Sequence, residues 1–330
     1  MNDLNRTQHY TTNASYITNG LLDFIPPNAT LVEPFCGAGD LVALFPNHKW
    51  EKYDIEPKTP DTTTPCDTLL SPQNYREKWV ITNPPFLAKN KAKNKFLFTK
   101  FPYDDLYKIA LSTIMDCEGG IIIIPTNFFA DERSGAIRSL FLNQFRILKM
   151  NVFTHPVFTS TTYSVCCFAF RRKNNIAEQQ TFSITVEPIH ETFSMSIEPQ
   201  YDYRFAGKYY NDIEQIKPLF GRLTTETTTD HITSIRLYAI DTRNTPIHME
   251  YDEEPFYGKA TDRTYATLTS KMLLNEEQQK HLIGLFNQEM AQFRALYHDL
   301  PLTNYRDFGR KRIGFDFAYR LASKLVKQII

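Results

Sequence analysis

Two rhythms of apolar and polar positions organise the chain. Residues 14–25 (ASYITNGLLDFI) place apolar side chains at helical spacing and stop at Pro26–Pro27, which predicts a helix there. The run TLVEPF follows and breaks at CGAGD, after which LVALF reads as the start of a helix. Short apolar runs, often β-branched, then recur: WEKYDI (50–55), WVIT (79–82), GGIIIIPT (119–126), ILKMNVF (147–153) and SVCCFAF (164–170). Most are separated by segments with helical potential. This alternation predicts an α/β fold with a mostly parallel sheet covered by helices. The last two runs lie too close together for a helical crossover, so they are expected as an antiparallel pair at one edge.

Beyond Arg171–Lys173 the text turns polar. SITVEP and SMSIEP suggest a small hairpin, TTETTTD (224–230) a loop, and residues 275–298 a periodic helix. A boundary is therefore expected near 173–200. It separates a domain over 1–173, a connecting segment over 174–200 and a second region over 201–330.

Composition narrows the class. The 330 residues suffice for one large domain or two ordinary ones, and 42% hydrophobic with 22% charged residues is normal for a soluble globular protein. The 25 Phe and 18 Tyr exceed the needs of such a core, which makes some of them candidate stacking surfaces. Lys plus Arg and Asp plus Glu both number 37, so contact with a nucleic acid must come from local basic patches. The five cysteines (36, 66, 117, 166 and 167) are odd in number and include an adjacent pair. They fit no disulfide framework, and no C-x-x-C suggests zinc, so no metal is expected. Cys166 and Cys167 read as small buried hydrophobes. MNDLNRTQHY lacks the charged and apolar regions of a signal peptide, so none is expected. The apolar runs are too short to span a bilayer, so a soluble, cytoplasmic protein with no membrane partner is expected.

The first candidate chemistry is the turn Gly37-Ala38-Gly39. A glycine turn between a strand and a helix lets backbone approach a ligand closely, at the switch point of an open sheet. It is also a common tight turn. The third glycine of the dinucleotide fingerprint is missing, since position 42 is Val, so no pyrophosphate cradle is specified. Asp54 ends the next strand, where a carboxylate can accept from both hydroxyls of a ribose, and Ile55 can cover an adenine face.

The second is the tetrad Asn83-Pro84-Pro85-Phe86, which follows WVIT and so emerges at the same carboxyl edge. Two prolines can simply stop a strand. The combination VEPFCGAGD, YDIE and NPPF, however, resembles the S-adenosylmethionine-dependent DNA adenine-N6 methyltransferases over residues 8–172. The resemblance implies a Rossmann-like class I methyltransferase sheet followed by an α+β target-recognition region, the gamma order of motifs. It implies S-adenosylmethionine as cofactor and double-stranded DNA as partner, either in a restriction–modification setting where a cognate endonuclease acts separately or as a solitary methylase.

The residue types suit that chemistry. An exocyclic adenine amine is a poor nucleophile, because its lone pair is delocalised. The Asn83 side-chain oxygen and the Pro84 carbonyl, held by the locked φ of Pro84 and Pro85, can each accept one N6 hydrogen. Alignment of the two reactants contributes up to about 7–11 kcal/mol. A duplex adenine must first be flipped out, and stacking on Phe86 helps to offset that. By the same resemblance, Tyr10, Thr11 and Thr12 close over the methionine part of the cofactor. Glu33 and the backbone of Phe35, Cys36, Gly37, Ala38 and Gly39 form the cofactor motif, and Asp67 holds the adenine. Phe158, or Tyr163 in its place, packs on the other face of the flipped base. Asp67 also reads as a helix-capping residue of an ordinary loop, and Phe158 as a core phenylalanine.

Basic segments supply the expected DNA contacts. Lys89, Lys91, Lys93 and Lys95 follow the tetrad, either as a solvated loop or as a phosphate clamp that orders on binding. Arg306, Arg310, Lys311 and Arg312 are interleaved with aromatics near the C-terminus, and Lys259 and Arg263 form a smaller group. The rival readings are an RNA adenine-N6 methylase, a catalytically silent nucleic-acid-binding relative, and a peptide glutamine methylase.

Overall fold

The structure, a computed structural model, describes residues 11–159, 161, 163–174, 179–226, 229–304 and 310–330. The chain divides into two compact units, 1–205 and 206–330.

The first unit is built on nine strands: β1 (Thr30–Glu33), β2 (Lys49–Asp54), β3 (Thr64–Pro65), β4 (Trp79–Thr82), β5 (Gly119–Pro125), β6 (Phe145–Phe153), β7 (Val165–Arg172), β8 (Gln180–Glu187) and β9 (Glu191–Ile197). Their order in the sheet is β3-β2-β1-β4-β5-β7-β6-β8-β9. The first five strands pair in parallel, and β7 enters antiparallel between β5 and β6. This is the mostly parallel α/β sheet that the alternating runs predict. β4 and β5 are buried at every position, as strands covered on both faces must be. The chain runs outward from β1 to β3, then returns to place β4 on the other side of β1. That reversal opens a crevice at the carboxyl ends of β1 and β4.

The helices of this unit are α1 (Ala14–Ile17), α2 (Leu97–Lys100), α3 (Leu106–Thr113), α4 (Asn127–Ala130) and α5 (Gly135–Gln144). Two expectations change here. The helix expected over 14–25 is broken into α1 and a 3-10 turn at Leu22–Phe24. Gly20 between them has φ +67°, and the Asn151 side chain donates to the carbonyls of Ile17 (3.2 Å) and Asn19 (2.9 Å). These bonds hold the chain in a turn where a helix would carry on. The helix expected after the glycine turn is a single 3-10 turn, Val42–Leu44, because Pro46 disfavours helical backbone at Phe45.

The antiparallel pair expected at 147–153 and 164–170 is present as β6 and β7. The sheet continues past it. β8 pairs in parallel with β6, and β9 turns back on β8, so the hairpin within 174–200 extends the sheet. Beyond it, Phe205 stacks on Phe129 (4.6 Å between centroids, 10° between planes) and the Tyr203 hydroxyl donates to Asn143 (2.8 Å).

The second unit is α+β. β10 (Phe220–Arg222), β11 (His231–Tyr238), β12 (His248–Tyr251) and β13 (Tyr265–Ser270) form an antiparallel sheet in the order β10-β13-β11-β12. α6 (Gly207–Glu214), α7 (Glu276–Tyr297) and α8 (Phe315–Leu325) accompany it, and β14 (Thr303–Asn304) pairs with β15 (Lys311–Arg312). α7 is the helix that the periodicity over 275–298 predicts. It starts with a capping box between Asn275 and Gln278 and buries Leu282, Phe286, Met290 and Phe293 in one core with Ile235, Leu237 and Leu268. All five cysteines are free, with Cys166 and Cys167 buried on β7. Among the described residues no helix is long and apolar enough to cross a membrane, and no cluster of His, Cys, Asp and Glu could hold a metal ion.

Candidate active site

A cleft enclosing about 830 Å³ out to its open mouth lies at the crevice between β1 and β4. Three strand ends converge on it. β1 ends at Glu33 and passes into the turn Cys36–Gly39; β2 ends at Asp54; β4 ends at Thr82 and passes to Asn83. Gly37 (φ 52°) and Gly39 (φ 87°) adopt backbone that other residues rarely take, and the Gly39 amide closes the turn on the Cys36 carbonyl at 2.8 Å. Asp54 fixes this turn to β2. Its carboxylate accepts from the Gly37 amide (2.7 Å) and from the Glu56 amide (2.8 Å). Each oxygen keeps a second lone pair for a ligand. Ile55 beside it is 39% exposed and lines the cleft as an apolar wall.

Glu33 ties β1 to β4. It is buried, and its Oε1 accepts from the Thr82 hydroxyl (2.6 Å) and the Phe35 amide (3.1 Å). Burial pushes its pKa up to about 8. Asp67 lines the cleft and also accepts from the amides of Leu69 (3.1 Å) and Leu70 (3.3 Å), so it caps its turn as well. In all, Glu33, Asp40, Asp54 and Asp67 line the cleft, and no Lys, Arg or His does so among the described residues. Asp40, Asp54 and Asp67 without a base beside them suit a ligand that carries positive charge and disfavour a phosphate.

Asn83 and Pro85 border the same cleft. The Asn83 amide nitrogen donates to the hydroxyl of the buried Thr11 (3.1 Å), so Thr11 forms part of the wall beside the tetrad. Pro84 is buried behind. Phe86, 4% exposed, meets Tyr107 edge to face (6.2 Å, 84°) and Phe158, also 4% exposed, at 6.4 Å and 62°. The two rings expected to sandwich a base thus touch each other, and planes 62° apart form no open slot. Just beyond the tetrad, the Leu87 amide donates to the Asp105 carboxylate (3.0 Å) and the Lys89 amide to the Asp104 carbonyl (2.8 Å). Burial raises the Asp105 pKa to about 6.

Other expected residues fall further out. Thr12 is exposed, and Gly39 shapes the turn without lining the cleft. Tyr10 and Arg306 lie outside the described residues. Lys89, Lys91, Lys93 and Lys95 are exposed, on a loop held down by the buried Ala92, and Lys91 donates to the Tyr163 hydroxyl (2.8 Å). Lys259 and Arg263 are exposed between β12 and β13. Their loop is held by Arg222, which donates to the carbonyls of Lys259, Ala260 and Asp262 (2.9, 3.1 and 2.6 Å).

The C-terminal basic cluster requires a correction. The Lys311 ammonium donates to Asn304 Oδ1 (2.9 Å), and burial lowers its pKa to about 8. Its backbone amide joins Asp241, which with Asp299 grips both sides of Arg294. The Arg312 Nε donates to the Thr303 hydroxyl (3.3 Å), and Arg310 is half-buried. Lys311 and Arg312 brace the β14–β15 ladder in place of the open patch expected of them.

Sequence reasoning missed Asp40, Leu41, Cys66, Thr68, Leu69 and Leu97 in the cleft wall, and Asp105 behind the tetrad. Only Asp105 carried a signal, as an acidic residue just before the apolar run LYKIAL in the manner of an N-cap.

No protein-family model matches the chain, and no curated protein matches it in sequence. Several solved structures are similar in fold. A Vibrio vulnificus protein assigned as a modification subunit of a type I restriction enzyme is 15% identical over 56% of this chain and 48% of that one, with a TM-score of 0.44. The methyltransferase subunit of a type I restriction-modification system from Streptococcus thermophilus is 14% identical over 54% and 47%, with a TM-score of 0.38. The M protein of the type I restriction enzyme EcoKI is 13% identical over 54% and 48%, with a TM-score of 0.42. The chain spans about half the length of each of these proteins.

Proposed function

We propose that this protein transfers a methyl group from S-adenosylmethionine to N6 of an adenine flipped out of double-stranded DNA. The observation that carries the reading is the meeting, in one cleft, of the acid-lined glycine turn with Asn83 and Pro85. When bound, S-adenosylmethionine supplies an electrophilic methyl group on a cationic sulfonium, and a wall bearing Asp40, Asp54 and Asp67 without a base fits that charge. Asp54 and Ile55 would hold its ribose and adenine, Asp67 the adenine edge, and Glu33 and Thr11 the methionine end.

The chain's own work in the reaction falls to the tetrad. Thr11 holds the Asn83 amide by its nitrogen, which turns the oxygen the other way. That oxygen and the Pro84 carbonyl accept the two amine hydrogens and direct the nitrogen lone pair along the line of transfer. No strong base is needed, because the proton leaves after the nitrogen has become cationic. Phe86 and Phe158 must part to receive the base, since the two rings now meet. Region 206–330 would read the target sequence, with Lys259 and Arg263 among its contacts. Residues 89–95 would grip the backbone phosphates, in a restriction–modification setting with a separate endonuclease.

The test is direct. The protein is incubated with labelled S-adenosylmethionine and unmodified duplex DNA of mixed sequence, or RNA, and the products are digested to nucleosides. N6-methyladenine is expected in the DNA. Its appearance only in RNA would move the substrate, and its absence from both would end the proposal. Asn83→Ala should lower turnover by about 100- to 1000-fold while cofactor affinity holds within about threefold. Loss of cofactor binding instead would place the methyl acceptor elsewhere.

A further inference from the structure

The segment just beyond the lysine run leaves one aromatic side chain unpacked. Phe98 is buried in a cluster with Leu69, Ala92, Leu106 and Ile109, and Phe101, Tyr103 and Leu97 pack against it. Phe96 alone among these four aromatics is largely open, at 51% exposure. Its place is well held. The Phe96 amide donates to Asn94 Oδ1 (2.9 Å), and its carbonyl accepts from the Thr99 hydroxyl (2.7 Å) in the first turn of α2. The Lys100 ammonium lies over the ring, 4.7 Å from its centroid. The next residue, Leu97, lines the cleft that Asn83 and Pro85 border. An aromatic ring thus stands in solvent one residue from the wall of the cleft, flanked by the exposed cations Lys93, Lys95 and Lys100.

Each feature has a use if duplex DNA docks here. Removing a base from the stack leaves a gap, and apolar side chains that enter between base steps stabilise such distortions. The flanking ammonium groups face phosphates, and the ring face under Lys100 becomes available once that ammonium moves to a phosphate.

We propose that Phe96 is the wedge that enters the base stack of duplex DNA and fills the space left by the adenine drawn toward Asn83. This rests on the adenine methyltransferase reading above. It adds a residue that acts on the duplex and takes no part in methyl transfer.

The test compares two substrates. Once the modified site is mapped on unmethylated DNA, it is placed in a normally paired duplex and in one whose target adenine faces an abasic position. The second needs little help in flipping. Phe96→Ala should lower the ratio of the rates, paired over abasic, by about tenfold, because only the paired duplex needs the wedge. Phe96→Trp should restore most of that ratio. Cofactor affinity, measured in parallel, reports whether each variant is folded. An unchanged ratio in Phe96→Ala, or equal loss on both duplexes, would overturn the wedge and leave the methyltransferase reading standing. Absence of methylation by the wild-type protein on any DNA would overturn both.

Discussion

Glu33 sits where a charge is least welcome. Burial holds its proton on up to about pH 8, although Thr82 and Phe35 both donate to the carboxyl group. Between the usual carboxylate range and about pH 8, the native state binds that proton more tightly than the unfolded chain does. The ligand-free protein therefore loses stability as pH rises through this window. A cationic ligand in the cleft reverses the balance, since a nearby positive charge favours the carboxylate. Binding S-adenosylmethionine at pH 7 should then release up to about one proton. Calorimetric titration in two buffers of different ionisation enthalpy measures this. Glu33→Gln should abolish the buffer dependence, and a wild-type heat that does not vary with buffer would place Glu33 away from the ligand's charge. The residue type and its place at a strand end were readable from VEPF. Its protonation was not, because that depends on burial, which the fold alone provides by bringing β4 next to β1.

At the scale of elements, the strands were legible and their surroundings less so. WVIT, WEKYDI and GGIIIIPT carry the apolar density that buried parallel strands need, and they place Gly37, Asp54 and Asn83 on one edge. The one-turn α1 and the 3-10 turn at 42–44 fall short of the helical periodicity. Asn151, more than a hundred residues away, takes the carbonyls of Ile17 and Asn19, and Pro46 stops the second helix. Lys311 likewise looked like a surface cation until the fold brought Asp241 and Arg294 to it. The tetrad loop depends on a partner of the same kind. Asp105 accepts from Leu87 across 18 residues of chain, at the N-terminus of α3. Asp105→Ala removes that acceptor and should lower stability by about 1–3 kcal/mol. Asp105→Asn keeps an acceptor and removes a charge that burial disfavours, so its melting temperature at pH 7.5 should match or exceed the wild type's. If the Asn variant melts as low as the Ala variant, the charge rather than the acceptor holds the loop.

For the whole molecule, the decisive stretch is 174–205. Its polar text marks a change of character, and SITVEP and SMSIEP do form a hairpin, but the hairpin belongs to the sheet. β8 lies along β6 in parallel, with Ser183 opposite Lys149 and Glu187 opposite Phe153, and β9 closes the edge. Past it, Phe205 stacks on Phe129 and Tyr203 reaches Asn143, both within the first unit. A polar strand in this position is hard to read from sequence, because β9 is open on one face and lacks the apolar density of β5. The boundary between the two compact units therefore falls after Phe205. A fragment ending at 173 would keep β7 beside β6 but remove β8 from its other side, with open amide and carbonyl groups along Lys149–Phe153. Fragment 1–173 should aggregate on expression. Fragment 1–205 should melt cooperatively and bind S-adenosylmethionine with an affinity within about threefold of the full chain, because every described residue of the cleft lies within it. It should fail to methylate duplex DNA if 206–330 reads the target. A soluble, cofactor-binding 1–173 would show that β8 and β9 are dispensable. Full activity in 1–205 would remove target reading from the second unit.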